Sequence, residues 1–186
     1  MCIIVVKPAG VDIPHRKELK HCFENNPHGA GFMTVENGHV YGRKGFLTFQ
    51  DLWGALKHVP VAKPLVIHFR WATHGARDAS ATHPFPASKR EKDLKATTWS
   101  SYVVGIAHNG IVPGYGSLTG GLSDTQEFIQ KVLSDKVITH NIHHPAVQRA
   151  IEKMTASKWT FLDKLGRITM VGQFVRNKDR KEDRCY

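Results

Sequence analysis

The chain is poor in cysteine and has no long apolar run. Three cysteines in 186 residues, widely spaced and odd in number, do not form the disulfide framework of a small secreted domain. We therefore expect a protein of the reducing cytoplasm. The apolar run at residues 3–6 is far too short to span a membrane, and no basic segment precedes it. Neither a membrane anchor nor a signal peptide is expected.

Composition indicates one globular domain with a charged end. Apolar residues make up 41% of the chain and charged residues 23%, and the length suffices to bury a core. We expect one domain over residues 1–175 and a charged tail over 176–186. The net charge of the chain is +10, and in that tail acids interleave with the bases. Because neither an aromatic-basic platform nor a helix-turn-helix pattern accompanies the charge, nucleic acid is not expected as a partner.

Local patterns predict strands and helices that come in blocks. Asn37-Gly38 predicts a hairpin between strands at 32–35 and 39–42. Further strands are predicted at residues 3–6, 65–70, 102–107, 159–162 and 167–171. Helices are predicted to begin at Pro14, after Thr48, after Ser123 and at Pro145. Residues 71–101 show little periodicity, which predicts a long functional loop. The block pattern favours a sandwich of sheets and helices over a repeated strand–helix–strand series.

Four polar clusters follow predicted strands or begin a helix. They read HFRWATHG at 68–75, THPF at 82–85, AHNG at 107–110 and SDTQE at 123–127. Together with the Met-Cys start, these runs resemble the class II glutamine amidotransferases, which are N-terminal-nucleophile hydrolases. RWATHG, HNG and SDT followed by Glu or Gln are signature runs of that family and occur here in its order. The resemblance covers the chain from Cys2 to about Gly172. It implies an α+β fold, a four-layer αββα sandwich of two mostly antiparallel sheets flanked by helices.

The resemblance also implies a reaction. Removal of Met1 would make Cys2 the first residue, so that one residue carries both a thiol nucleophile and an α-amino base with a pKa of roughly 8. Attack on the side-chain amide of glutamine would release ammonia through a γ-glutamyl thioester. Asn109 and Gly110 would supply the oxyanion donors. A plain hairpin turn is the alternative interpretation of that Asn-Gly pair.

The same resemblance assigns the substrate contacts. Arg70 would bind the α-carboxylate of glutamine as a bidentate fork, with a structural ion pair as the alternative. Asp124 would bind the α-ammonium, with a purely helix-stabilising role as the alternative. The remaining pocket residues are Thr73 and His74, which would line it, and Trp71 and His83, which would support its wall.

The chain departs from the family at two positions near the nucleophile. Ile3 stands where many relatives have glycine. His28, in the run NPHGAG at 26–31, stands where relatives often carry an acidic residue.

Neither a metal nor a cofactor is expected. His140 and His144 have the i, i+4 spacing of helical metal ligands, but no glutamate follows the first histidine and Pro145 begins a helix just after. A loop between two helices is the favoured interpretation of this run.

The expected function is that of a glutaminase-type amidotransferase domain acting on L-glutamine or a related γ-amide. A chain of this length leaves no room for a synthase. Either a separate synthase or amination partner would receive the ammonia, or the domain would simply hydrolyse the amide. One alternative is an idle amidotransferase fold that binds an acidic protein or nucleic acid through its basic surface. Another is a peptidase or acyltransferase with the same nucleophile, which would depend little on Arg70 and Asp124.

Overall fold

The computed structural model describes residues 1–72, 78–116 and 121–175. Within these ranges the fold is α+β, with two antiparallel sheets and helices packed outside them. The expected fold class is therefore confirmed. Thr73, His74 and the predicted tail at 176–186 lie outside the described residues.

Nine strands lie in the described ranges. They are β1 (Ile3–Lys7), β2 (Ala30–Glu36), β3 (His39–Phe46), β4 (Leu65–Phe69), β5 (Phe85–Pro86), β6 (Thr98–Ser101), β7 (Val104–Asn109), β8 (Lys158–Asp163) and β9 (Ile168–Val171). The first sheet has the order β1-β4-β2-β3-β6, and the second has the order β5-β7-β8-β9. The Asn37-Gly38 hairpin joins β2 to β3, and both turn residues have positive φ, as the pair predicts.

The helices fall between and after the strands. They are α1 (Arg16–Asn25), α2 (Phe49–Leu56), α3 (Glu91–Lys95), α4 (Asp124–Phe128), α5 (Lys136–His140) and α6 (Pro145–Thr155). A 3₁₀ turn spans Ala79–Ala81, and α4 continues as a π-helical turn over Ile129–Leu133. None of the helices in these ranges has the length and apolar composition needed to cross a membrane.

Three apolar cores separate four layers. Helices α1 and α2 pack on the outer face of the first sheet around Leu19, Leu52 and Ile67. A second core lies between the two sheets, and a third joins the second sheet to α4 and α6. Because side chains alternate along a strand, Val66 of β4 points between the sheets while Ile67 points to the outer core. This is the αββα order that the resemblance implies.

The observed elements differ from the predictions in several places. Residues 71–101 are not one loop, because they contain the 3₁₀ turn, β5, α3 and β6. These elements are too short to show periodicity, and tertiary contacts define them. Pro14 precedes α1 rather than beginning it, since His15 is the N-cap residue and its N–H donates to Glu18 at 2.9 Å. Helix α5 has only five residues and gave no detectable pattern.

Candidate active site

Cys2 lies beside the segment that follows β4. Strand β1 runs antiparallel to β4 with Ile3 opposite Phe69, so the start of the chain meets the end of that strand. The Trp71 N–H donates to Sγ of Cys2 at 3.3 Å, and Sγ lies 3.7 Å from the Trp71 carbonyl. The side chain of Cys2 is half-buried. Sheet register thus positions the predicted nucleophile against the RWATHG run.

The thiol of Cys2 is held in its protonated form. Burial raises its pKa, and the negative charge of Asp124 adds to that rise. The Trp71 N–H, the N-terminal ammonium and Arg70 act in the opposite direction, but burial is the larger influence. A thiol in this environment needs a nearby base before it can act as a nucleophile.

Asn109 brings the second sheet to the nucleophile. It is the last residue of β7, and its Nδ2 donates to the carbonyl of Cys2 at 2.7 Å. Its Oδ1 is buried and has no partner among the described residues. One N–H of this amide therefore holds the backbone of Cys2.

Gly110 must be a glycine. Its φ is +153°, and a Cβ built there would lie 2.2 Å from Oγ of Ser157 and 2.7 Å from its Cβ. Ser157 cannot move away easily, because its Oγ lies within hydrogen-bond distance of the carbonyls of Ile111 and Thr155. A side chain at position 110 would displace the backbone next to Asn109. The Asn-Gly pair is not a hairpin turn, since β7 pairs with β5 and β8 and neither of these strands directly follows residue 110.

Arg70 carries a guanidinium nitrogen that no group among the described residues satisfies. The backbone of Arg70 is bound on both sides, with its N–H donating to Gly29 at 2.8 Å and its carbonyl accepting from His28 at 3.2 Å. Its Nη1 is buried and has no partner within the described ranges. Burial lowers the pKa of Arg70, while Cys2 and Asp78 oppose that change. A buried cation without a partner is costly, and a ligand carboxylate would satisfy it.

Asp124 is the first residue of α4, directly after the N-cap Ser123. Its Oδ2 accepts the Val112 N–H and its Oδ1 accepts the Thr125 N–H, both at 2.8 Å. The carboxylate is thus held against the loop after β7. Its charge reaches Cys2, where it contributes to the raised pKa of the thiol.

The other predicted pocket residues have different surroundings. Trp71 is 44% exposed and contacts Cys2 through its backbone. His83 is buried between the sheets and stacks on His68 with ring centroids 4.2 Å apart. Thr73 and His74 lie outside the described residues.

Two buried histidines connect the segments of the site, and sequence reasoning gave them no role. His68 of β4 lies 3.0 Å through Nε2 from the carbonyl of His108 in β7. His108 in turn lies 2.8 Å through Nδ1 from Oγ1 of Thr125 in α4. Burial lowers the pKa of each imidazole to about 3, so both are neutral near pH 7. The available signal was that each stands inside a polar cluster directly after apolar strand residues.

The histidine-rich run before α6 joins two helices. Among the described residues, no group of three or more histidine, cysteine, aspartate or glutamate side chains is arranged to hold a metal ion. His143 contacts Asp163 at 2.8 Å and Thr169 at 2.5 Å, which ties this loop to the β8–β9 hairpin. His140 ends α5 and His144 is the N-cap of α6, so the run is the predicted interhelical loop.

Comparison with known proteins finds similarity to glutamine–fructose-6-phosphate aminotransferases. A glutamine–fructose-6-phosphate aminotransferase of Pseudomonas putida strain KT2440 is 29% identical over 113 residues, covering 60% of this chain and 16% of the relative. The enzyme of the same name from Shewanella oneidensis strain MR-1 is 28% identical over 116 residues, covering 62% of this chain and 17% of the relative. No protein-family model matches the chain.

These matches support the resemblance at the level of an amidotransferase-like domain. The matched region spans only about a sixth of each relative. The aminotransferase activity belongs to those larger proteins, whose names give glutamine as one of their two substrates.

Proposed function

We propose that this protein is a glutamine amidotransferase domain that hydrolyses the side-chain amide of L-glutamine. The observation that carries the proposal is the convergence of four predicted groups at one end of the sandwich. Cys2 contacts Asn109 directly and interacts electrostatically with Arg70 and Asp124. The thiol, the amide and the two opposite charges are the set that a free amino acid with a side-chain amide requires.

Before the reaction can take place, Met1 is removed, and this residue is 91% exposed. The α-amino group of Cys2, in its neutral form, takes the thiol proton directly or through one water. Sγ then attacks the amide carbon of glutamine, and negative charge develops on the amide oxygen. This oxygen accepts hydrogen bonds from the N–H groups of Asn109 and Gly110. Collapse of this intermediate breaks the carbon–nitrogen bond, and ammonia leaves with the transferred proton. Water cleaves the thioester to give glutamate and restores the thiol.

Substrate orientation follows from the two charged residues. The α-carboxylate of glutamine satisfies Nη1 of Arg70, which no described protein group bonds. The α-ammonium lies against Asp124. The domain over residues 1–175 would act with a separate synthase, to which the ammonia passes in trans.

The proposal is tested on the mature protein. Intact-mass measurement should show loss of one methionine, and a glutamine-analogue electrophile should add one equivalent to Cys2. Glutamate release should be abolished by Cys2→Ala. Arg70→Ala and Asp124→Ala should mainly raise KM for glutamine.

Three results would contradict the proposal. Glutamate release by Cys2→Ala at the wild-type rate would exclude Cys2 as the nucleophile. A protein that keeps Met1 and does not react with the electrophile would instead be an idle fold that serves as a binding module. Hydrolysis of other amides, unaffected by Arg70→Ala or Asp124→Ala, would indicate a peptidase or acyltransferase.

A further inference from the structure

We propose that His28 is a positioning residue that holds the peptide at Trp71–Ala72 against Cys2 and thereby sets the reactivity of the thiol. The acceptor atom is Nδ1 of His28, which receives the Ala72 N–H at 2.9 Å. The effect of His28 on glutamine turnover rests on the proposed function. The effect of His28 on the reactivity of the Cys2 thiol does not depend on that function.

The segment after β4 has lost its partner strand and depends on residues 28 and 29. Pairing between β2 and β4 ends at Ala30 opposite Phe69. Beyond that point the Arg70 N–H donates to the carbonyl of Gly29, and the His28 N–H donates to the carbonyl of Arg70. At the next position the acceptor is no longer backbone but the imidazole of His28. The side chain thus continues the ladder by one hydrogen bond.

The same imidazole also contacts the intervening residue. Its ring centroid lies 4.9 Å from that of Trp71, with the two planes 31° apart. Trp71 is therefore fixed by the backbone hydrogen bonds of its two neighbours, Arg70 and Ala72, and by the contact of its own ring with the ring of His28.

This arrangement acts on the nucleophile through one hydrogen bond. The Trp71 N–H points at Sγ of Cys2 at 3.3 Å, and it is the foremost of the influences that lower the thiol pKa against burial. Release of Ala72 from His28 would free the peptide to rotate and would weaken that bond. Among the described residues, Arg70, Asp124 and the N-terminal ammonium act electrostatically on Cys2, and Asp78 acts on Arg70.

The hydrogen bond to Ala72 requires a particular kind of side chain at position 28. It needs a hydrogen-bond acceptor on a short side chain, which an unprotonated Nδ1, an amide oxygen or a carboxylate can each supply. The acidic residue that the resemblance leads us to expect here would supply the same acceptor. Since Nδ1 accepts, the ring proton of neutral His28 is on Nε2.

Two variants separate the acceptor from the ring. His28→Asn keeps an acceptor near the Nδ1 position and loses the ring, whereas His28→Phe keeps the ring contact with Trp71 and loses the acceptor. The measurement is the rate of alkylation of Cys2 by iodoacetamide as a function of pH, followed by peptide mass spectrometry. Cys22, a half-buried free cysteine on α1, is the internal control.

The acceptor variant and the ring variant should differ. His28→Phe should raise the pKa of the Cys2 thiol and slow its alkylation at pH 7 by about fivefold, the effect of losing one ordinary hydrogen bond. His28→Asn should stay within about twofold of the wild type. Alkylation of Cys22 should be the same in all three proteins. In glutamine hydrolysis, His28→Phe should lower kcat with little change in KM.

Three results would overturn the inference. An unchanged thiol pKa in His28→Phe would show that the acceptor does not act on Cys2, and an equal loss in His28→Asn would assign the effect to the ring. If His28→Phe does not fold, nitrogen NMR of the wild-type imidazoles remains decisive, with the His28 signals identified by their loss in His28→Asn. A proton on Nδ1 at neutral pH would contradict the inference. Failure of glutamine hydrolysis alone would refute the proposed function and leave the alkylation result unaffected.

Discussion

At the scale of single residues, the site contains groups that lower the stability of the protein. Nη1 of Arg70 and Oδ1 of Asn109 are buried without partners among the described residues. A buried polar group without a hydrogen bond costs about 1–3 kcal/mol of folding free energy. Such a group is retained where a ligand binds to it, because the side chain that lowers the stability of the free protein also contributes to substrate binding.

Arg70→Met should therefore make the protein more stable and less active. Methionine keeps much of the apolar stem of Arg70 and removes the unsatisfied guanidinium, so the free energy of unfolding should rise by about 1 kcal/mol. KM for glutamine should rise at least tenfold, since the carboxylate receptor is gone. Urea unfolding and glutamate release measure the two effects. Arg70→Lys is the control, in which the charge remains and the stability gain should be smaller. A less stable Arg70→Met would show that the guanidinium is satisfied in solution.

Gly110→Ala should destabilise the protein through a clash with one identified neighbour. The new Cβ would lie 2.2 Å from Oγ of Ser157, and displacement of the backbone should cost about 2 kcal/mol. Adding Ser157→Gly removes that neighbour, so the double variant should recover part of the loss. Ser157→Gly alone provides the reference. Additive effects of the two changes, seen in thermal melting, would exclude the clash as the cause.

At the scale of elements, a buried lysine joins β3 to the 3₁₀ turn and to α3. Lys44 is 4% exposed, and its Nζ donates to the carbonyls of Ser80 and Leu94, both at 2.6 Å. Nε2 of Gln126, from α4, reaches the same two carbonyls at 3.4 and 3.2 Å. Two donors thus connect the segment that follows the RWATHG run to the helix of Asp124. Burial lowers the pKa of Lys44 from 10.5 to about 6.

This pKa predicts a rise in stability with pH. Between pH 6 and 10.5 the unfolded chain binds a proton at Lys44 that the folded protein does not, so the free energy of unfolding increases with pH across this range. Lys44→Met should reduce that slope in urea unfolding. Gln126→Leu is the matched control, because it removes the other donor to the same carbonyls without removing a titratable group. It should lower stability and keep the slope, and a Lys44→Met slope equal to that of the wild type would refute the prediction.

Prediction from sequence succeeded for elements with strong local signals. The Asn37-Gly38 hairpin and the helices capped by Thr48 and Ser123 form as predicted, because turn and capping chemistry is local. The elements within residues 71–101 were missed, since strands of two to four residues are defined by partners distant in the chain. The site followed the same rule. Motifs indicated Cys2 and Arg70, whereas the contact between His28 and Ala72 depends on how β2 and β4 pair.

At the scale of the whole molecule, three neutral histidines are buried within the layers of the sandwich. His68 and His83 stack on each other, and His108 stacks on Trp159 with ring centroids 3.9 Å apart. The bonds from His68 to β7 and from His108 to α4 cross from the first sheet to the second and on to the outer helices. Packing of the two sheets thus depends on these imidazoles remaining uncharged.

The protein should consequently lose stability in mild acid. Burial lowers the pKa of His68 and His108 from 6.5 to about 3, and that of His83 well below its ordinary value. As the pH falls below 6.5, the unfolded chain binds protons that the folded protein does not, so the free energy of unfolding decreases. His83→Phe should keep the aromatic packing and remove one such proton. It should therefore reduce the slope by up to about 1.4 kcal/mol per pH unit, measured by urea unfolding between pH 5 and 6.5. Phe85→Leu, at the apolar neighbour of His83, should lower stability without changing the slope. Equal slopes in His83→Phe and the wild type would mean that His83 is protonated in the folded protein.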